Sequence, residues 1–179
     1  MLQRYNDIIT NGSNVAMIEV QELGNKQIEE LLKRVGYGHL GCARNNHPYV
    51  VPINYAYEDG LIYIYTTEGK KTEMIAANPE VCLQVEEVEN NKDWKSVIVI
   101  GDAEEITDET EREHALEFIL KINPTLTPAL SIRWMDSWVR ENIEVIYRIR
   151  PRITSGRTAI DRKAKRDALL IGRKKSTLY

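Results

Sequence analysis

The 179-residue sequence holds two cysteines, three histidines and no apolar run near the roughly 20 residues that a membrane-spanning helix needs. Cys42 and Cys82 sit among apolar neighbours and form no CxxC. They read as free thiols of a cytoplasmic protein, with a disulfide as the lesser alternative. His39, His47 and His114 show neither HxxxH nor HExxH spacing, which leaves a metal centre without support. No G-x-S-x-G nucleophile elbow occurs, and no internal repeat or low-complexity segment. The first 20 residues lack the apolar centre of a secretory signal, so a cytoplasmic location is the expectation.

The charge is unevenly spread. Residues 157–179 carry eight Lys/Arg and two Asp, a balance of +6, so the rest of the chain carries −9 of the net −3. A basic tail on an acidic body finds partners in that body or in a second subunit. No aromatics are interleaved with its charges, so a nucleic-acid partner is not expected. The length suits one domain, read as an arm over 1–18, a domain over 19–156 and the tail over 157–179.

Helical periodicity first appears at Asn25–Val35, where Ile28, Leu31, Leu32 and Val35 share one face, Asn25 serves as N-cap and Gly36 as the stop. Strands are predicted over 38–44, 48–57 and 61–67, joined by Asn45-Asn46 and Asp59-Gly60 turns. Further strands follow over 81–88, 94–103 and 143–149, the last ended by Pro151. The continuous apolar run from Val97 to Ile100 suits a strand buried on both faces. Helices are expected over 70–78, over 108–122, where Asp108 and Glu111 have capping-box spacing, and over 128–142, with a basic amphipathic helix in the tail. Trp134 and Trp138 would form a packed face of the third of these, or a roof over a ligand with Arg133, Arg140 and Arg150 nearby. Six mostly antiparallel strands with few helices between them argue for a closed or nearly closed barrel.

Gly36-Tyr37-Gly38-His39-Leu40-Gly41 matches G-x-G-x-x-G, but it follows a helix and opens a strand. A dinucleotide fingerprint needs the reverse, so helix stop plus strand entry is the reading. The segment Thr66-Thr67-Glu68-Gly69-Lys70-Lys71 ends a strand and enters a helix. Two hydroxyls, a glycine, two cations and a helix N-terminus make a phosphate cradle, and the same residues also suit a solvated turn.

Three ordered stretches resemble the pyridoxamine 5′-phosphate oxidase-like FMN-binding split-barrel family, nearest its nitroimidazole-resistance-type, flavin-nucleotide-binding branch. They are His39–Ala43 with Pro48–Tyr55, Ile62–Lys71 with Asn78–Cys82, and Trp94–Glu104. The resemblance implies a mainly β protein with peripheral helices, a six-stranded antiparallel split β-barrel, with FMN at the interface of a homodimer. It places Pro52, Ile53 and Asn54 along the flavin, Thr66 and Thr67 near its phosphate, and Lys70 and Lys71 as the basic pair that neutralises it. Trp94, Ser96 and the adjoining Val97 match the strand that approaches the flavin from the partner subunit, and a tryptophan at the barrel rim is the plain alternative. Tyr65 or Thr66 stands where many members of the branch carry a histidine, so a neutral-pH titrating group is missing there. The implied function is an FMN-dependent oxidoreductase that passes electrons from NAD(P)H to a small nitroaromatic or quinone-like acceptor. The alternatives are a non-catalytic flavin carrier or sensor, or the same fold holding haem or a deazaflavin. The arginines dedicated to the vitamin phosphate in true pyridoxamine phosphate oxidases are not recognisable, so vitamin B6 oxidation is not expected.

Overall fold

The computed structural model describes residues 18–122, 124 and 144–161. The expected helix over 128–142, with Trp134, Trp138, Arg133 and Arg140, lies outside the described residues, as do nearly all of the arm and most of the tail.

All sheet pairings are antiparallel. The strands are β1 (Ile18–Glu22), β2 (Tyr37–Arg44), β3 (His47–Asn54), β4 (Ala56–Glu58), β5 (Leu61–Thr67), β6 (Glu80–Asn90), β7 (Asp93–Glu105) and β8 (Glu144–Asp161). They run in the order β3-β2-β6-β7-β8-β5-β4, with β1 added to the far end of β8. Three helices punctuate them: α1 (Asn25–Val35), α2 (Lys70–Ala77) and α3 (Glu109–Ile122). This is the split-barrel architecture read from the sequence. The expected second strand is broken at Tyr55 into β3 and β4, and β1 was not foreseen.

The break at Tyr55 makes the split. Among the described residues β3 pairs only with β2, and β4 pairs with β5, so one continuous stretch of chain forms both edges of the sheet. The β4–β5 ladder ends at Ala56 and Tyr63, beyond which β3 and the second half of β5 approach each other without pairing. Tyr55 anchors the junction. Its side chain is 2% exposed, its hydroxyl donates to Leu32 O at 2.9 Å, and its N–H donates to Gly36 O at 3.0 Å. Pro48 and Pro52 lie in β3, where an edge strand tolerates a missing donor on its unpaired side.

Local signals explain most element ends. Asn45, Asn46 and Asp59 take positive φ, as tight hairpin turns require. Gly36 ends α1 in the left-handed region at φ 64°, which disposes of the dinucleotide motif. The N-cap expectation needs correction: Asn25 is the first helical residue, and the preceding Gly24 donates its N–H to Gln27 Oε1 at 3.0 Å. Asp108 caps α3 as expected, accepting from the Glu111 N–H at 2.9 Å.

Pro151 does not end the last strand. It lies inside β8 at a register shift, opposite Gly101, where a bulge spares the ladder the missing N–H. The strand therefore runs on through the first five residues of the basic segment, 157–161, which pair with β1. The main core holds Leu40, Ile62, Ile64, Leu83, Val85, Val97, Val99 and Ile149, with Ile28, Leu31 and Leu32 of α1 packed into it. A second cluster of Ala56, Tyr65, Ile106, Ala115, Ile119 and Ile146 lies under α3. Among the described residues, no helix is long and apolar enough to cross a membrane.

The run from Val97 to Ile100 is not buried on both faces within one chain. Val97 and Val99 enter the core, whereas Ile98 and Ile100 stay half-exposed on the outer face. Ile100 sits in a row of cross-strand partners, Val50–Gly41–Cys82–Ile100–Ile153, spanning five strands. At the ends of that row Val50 is 62% and Ile153 60% exposed.

Candidate functional site

The first turn of α2 stands over the mouth of the split. Gly69, at φ 156°, makes the bend from β5 into the helix, a conformation that L side chains rarely adopt. Thr72 locks the bend: its hydroxyl donates to Gly69 O at 2.8 Å and accepts from the Gly69 N–H at 2.9 Å. The first intrahelical bond is from the Glu73 N–H to Gly69 O, so the N–H groups of Lys70, Lys71 and Thr72 precede the helical ladder. A Cβ placed on Gly69 would meet nothing within 4 Å, so the space beside the bend itself is open.

The two lysines diverge onto the two lips of the split. Lys71 turns toward β5, where its ammonium donates to Thr66 Oγ1 at 2.5 Å and to Thr67 O at 3.4 Å. Lys70 turns toward β3, its ammonium 4.6 Å from the centre of the Tyr49 ring. Among the described residues, neither ammonium pairs with a carboxylate. Burial lowers the Lys71 pKa from the ordinary lysine value, and the neighbouring Cys42 draws it part of the way back. Burial likewise raises the Cys42 thiol, against the pull of Lys71 and Lys70. A desolvated cation without an anionic partner among the described residues, an exposed second cation and helix N–H groups outside the ladder are a donor set that could hold an anion. The donor set fits a phosphate.

The other residues named from the sequence divide. Thr66 is buried on the core side of β5 and meets Lys71, whereas Thr67 contributes its carbonyl. Tyr65 points the opposite way, into the cluster under α3. On β3, Ile53 is buried in the main core and its backbone polar groups face β2, while Pro52 and Asn54 are half-buried on the other side of the strand. Trp94 and Ser96 sit half-buried at the hairpin end of β7. The ladder places them at the opposite end of β8 from the residues that pair with Thr66 and Thr67. Val97 is fully buried in the core. One chain alone therefore does not bring β7 to the cradle. Arg150 is engaged with Glu104 at 3.3 Å.

Sequence reasoning missed Tyr49, Cys42 and Thr72 as parts of this site. Cys42 and Tyr49 were available only through register, as cross-strand partners beside α2, whereas Thr72 directly follows Lys71 in the sequence. Among the described residues, no cluster of His, Cys, Asp or Glu could hold a metal ion.

Residues 24–158 match the family model described as pyridoxamine 5′-phosphate oxidase. The chain belongs to this family. This member of the pyridoxamine 5′-phosphate oxidase family is similar to a solved FAD-binding protein of Mesorhizobium loti. The two share 33% identity and a TM-score of 0.64 over 80% of this chain and 98% of that one. It also matches the fold of a candidate 5-nitroimidazole antibiotic resistance protein of Bacteroides thetaiotaomicron, at 21% identity and a TM-score of 0.61 over 80% and 89% of the two chains. An uncharacterized protein of Rhizobium meliloti is 32% identical over 87 residues, which span 49% of this chain and 58% of that protein.

Proposed function

We propose that the protein binds FMN with its phosphate at the Thr66–Lys71 corner and acts as an oxidoreductase on a small aromatic acceptor, nitroaromatic or quinone-like, using electrons from NAD(P)H. The observation that carries this reading is the pair of lysines, free of carboxylate partners among the described residues, astride the split at a helix N-terminus. The Mesorhizobium loti relative, an FAD-binding protein by description, supports a flavin. Two cations and a helix N-terminus match the near-dianionic charge of a phosphate monoester such as that of FMN. When bound, a flavin supplies the redox chemistry. The chain's own residues anchor and orient it: Lys70, Lys71 and the first N–H groups of α2 hold the phosphate, and the unpaired edge of β3 lies along the ring. Absorbance of the purified protein and the mass of the group released on denaturation test the reading. Release of FAD, haem, a deazaflavin or nothing counts against it.

Tyr65 supports a second reading, a flavin carrier or sensor without efficient turnover. It lies buried under α3, so it presents no imidazole to the cradle. Steady-state NADH oxidation with nitro and quinone acceptors separates the two.

The flavin site is completed by a second copy of the chain. The apolar row Val50–Gly41–Cys82–Ile100–Ile153 needs a cover, and an isologous dimer would also carry β7 to the neighbouring cradle. Ile100→Asp with Ile153→Asp is expected to yield monomers by light scattering, with FMN affinity reduced at least tenfold. A dimer retained in that variant places the interface elsewhere.

Lys71 gives the site a pH signature. The ammonium form binds phosphate, and burial lowers the pKa of this lysine in the free protein. The ratio of FMN to riboflavin affinity is therefore expected to fall with rising pH, beginning below the ordinary lysine range. The ratio cancels titration of the ring itself, and fluorescence titrations across the alkaline range measure it.

A further inference from the structure

The two lysines of the cradle are held by different means. Lys71 is half-buried and fixed by two hydrogen bonds to β5. Lys70 is exposed, makes no ion pair among the described residues, and meets one group on the opposite lip, the ring of Tyr49. An exposed lysine side chain otherwise spreads its charge over many rotamers. A cation over an aromatic face is confined without surrendering its charge.

Tyr49 is well placed to confine it. The residue lies in β3 opposite Cys42, and Cys42 Sγ contacts its carbonyl oxygen at 3.7 Å. Its side chain packs against the main core alongside Val51, so the base of the ring is fixed by the barrel. The ring offers a face to the ammonium and no negative charge that a phosphate would have to displace. A carboxylate at this position would hold Lys70 more tightly but would compete with the ligand.

We propose that Tyr49 is a positioning residue of the phosphate site: its ring holds the Lys70 ammonium over the split, where the phosphate of a flavin mononucleotide binds. This rests on the phosphate-site reading given above. It adds that the lip of β3 contributes to phosphate affinity as well as lying along the ring.

The test compares FMN with riboflavin, which lacks the phosphate, in the parent protein, Tyr49→Phe, Tyr49→Leu, Lys70→Ala and the Tyr49→Leu/Lys70→Ala double variant. Tyr49→Leu should weaken FMN binding roughly three- to tenfold and leave riboflavin binding within twofold. Tyr49→Phe, which keeps the ring face, should bind FMN as the parent does. The double variant should be no weaker than Lys70→Ala alone, because the two changes remove one interaction. In the flavin-free protein, the ε-methylene protons of Lys70 should show a ring-current shift that persists in Tyr49→Phe and vanishes in Tyr49→Leu. An equal loss of FMN and riboflavin affinity in Tyr49→Leu would show that the ring only supports the lip, and would overturn the proposal. So would additive losses in the double variant, or failure of Tyr49→Phe to restore FMN affinity. If the parent protein binds FMN no more tightly than riboflavin, or binds neither, the phosphate-site reading itself falls, and this proposal with it.

Discussion

Replacing Lys70 and Lys71 together by alanine is expected to lower FMN affinity by about 10²–10⁴-fold, enough to strip the flavin during purification. Each charge-assisted hydrogen bond to the phosphate contributes about 1.5–3 kcal/mol, and two are removed. The fold should survive. Neither lysine belongs to an ion pair among the described residues, and Lys70 is exposed. Removing the half-buried Lys71 ammonium also relieves a desolvated charge, which offsets the lost bond to Thr66. Far-ultraviolet circular dichroism and the denaturation midpoint of the flavin-free protein should match the parent. FMN affinity unchanged in this variant would refute the assigned cradle.

Tyr55→Ala should cost about 3–5 kcal/mol, the range for emptying a large buried aromatic site. That is a large share of the roughly 5–15 kcal/mol that holds a typical domain together, and lowers the melting temperature by about 6–20 °C. The position is more than packing, because Tyr55 is where the chain passes from one edge of the sheet to the other. Its loss should loosen both lips of the split and weaken FMN and riboflavin alike, which distinguishes it from the lysine variants. Tyr55→Phe isolates the hydroxyl, leaving Leu32 O without its 2.9 Å partner for about 1 kcal/mol. Burial raises the Tyr55 phenol above the ordinary tyrosine range. The folded state therefore favours the neutral form, a contribution fully present below the unfolded-chain value of about 10 and lost as pH rises above it. The parent should lose stability more steeply than Tyr55→Phe in alkaline urea titrations. Parallel curves would mean that the phenol ionises without unfolding its surroundings.

The sequence signals that proved legible were short-range. The Asn45-Asn46 and Asp59-Gly60 turns, the Gly36 stop and the Asp108 cap each depend on a few neighbouring residues, and each stands in the structure. Pro151 was misread because a proline ends a strand only where its N–H is needed. The register shift that excuses it depends on β7, some fifty residues away. The break at Tyr55 is equally invisible locally, since 48–57 is rich in β-formers and interruption follows from which partner each half finds. At the site, the hydroxyls and lysines were legible because they are contiguous. Tyr49 and Cys42 join them only through the pairing of β2 with β3. The apolar run Val97–Ile100 calls for two buried faces, and the described residues bury only one, so this pattern could not be resolved from the run itself.

The prolines of β3 have a consequence for what can settle in the gap. With Pro48 and Pro52 in a strand that, among the described residues, pairs on one side only, every second outward amide of that edge lacks its hydrogen, while the carbonyls of 48, 50 and 52 remain. Such a border is rich in acceptors and poor in donors. An extra polypeptide strand, which must both give and take along its length, zips onto it badly, so runaway sheet growth is discouraged. A flat heterocycle that presents one or two N–H groups loses nothing by the same deficit, and the feature that turns away a strand leaves the berth open to a ring.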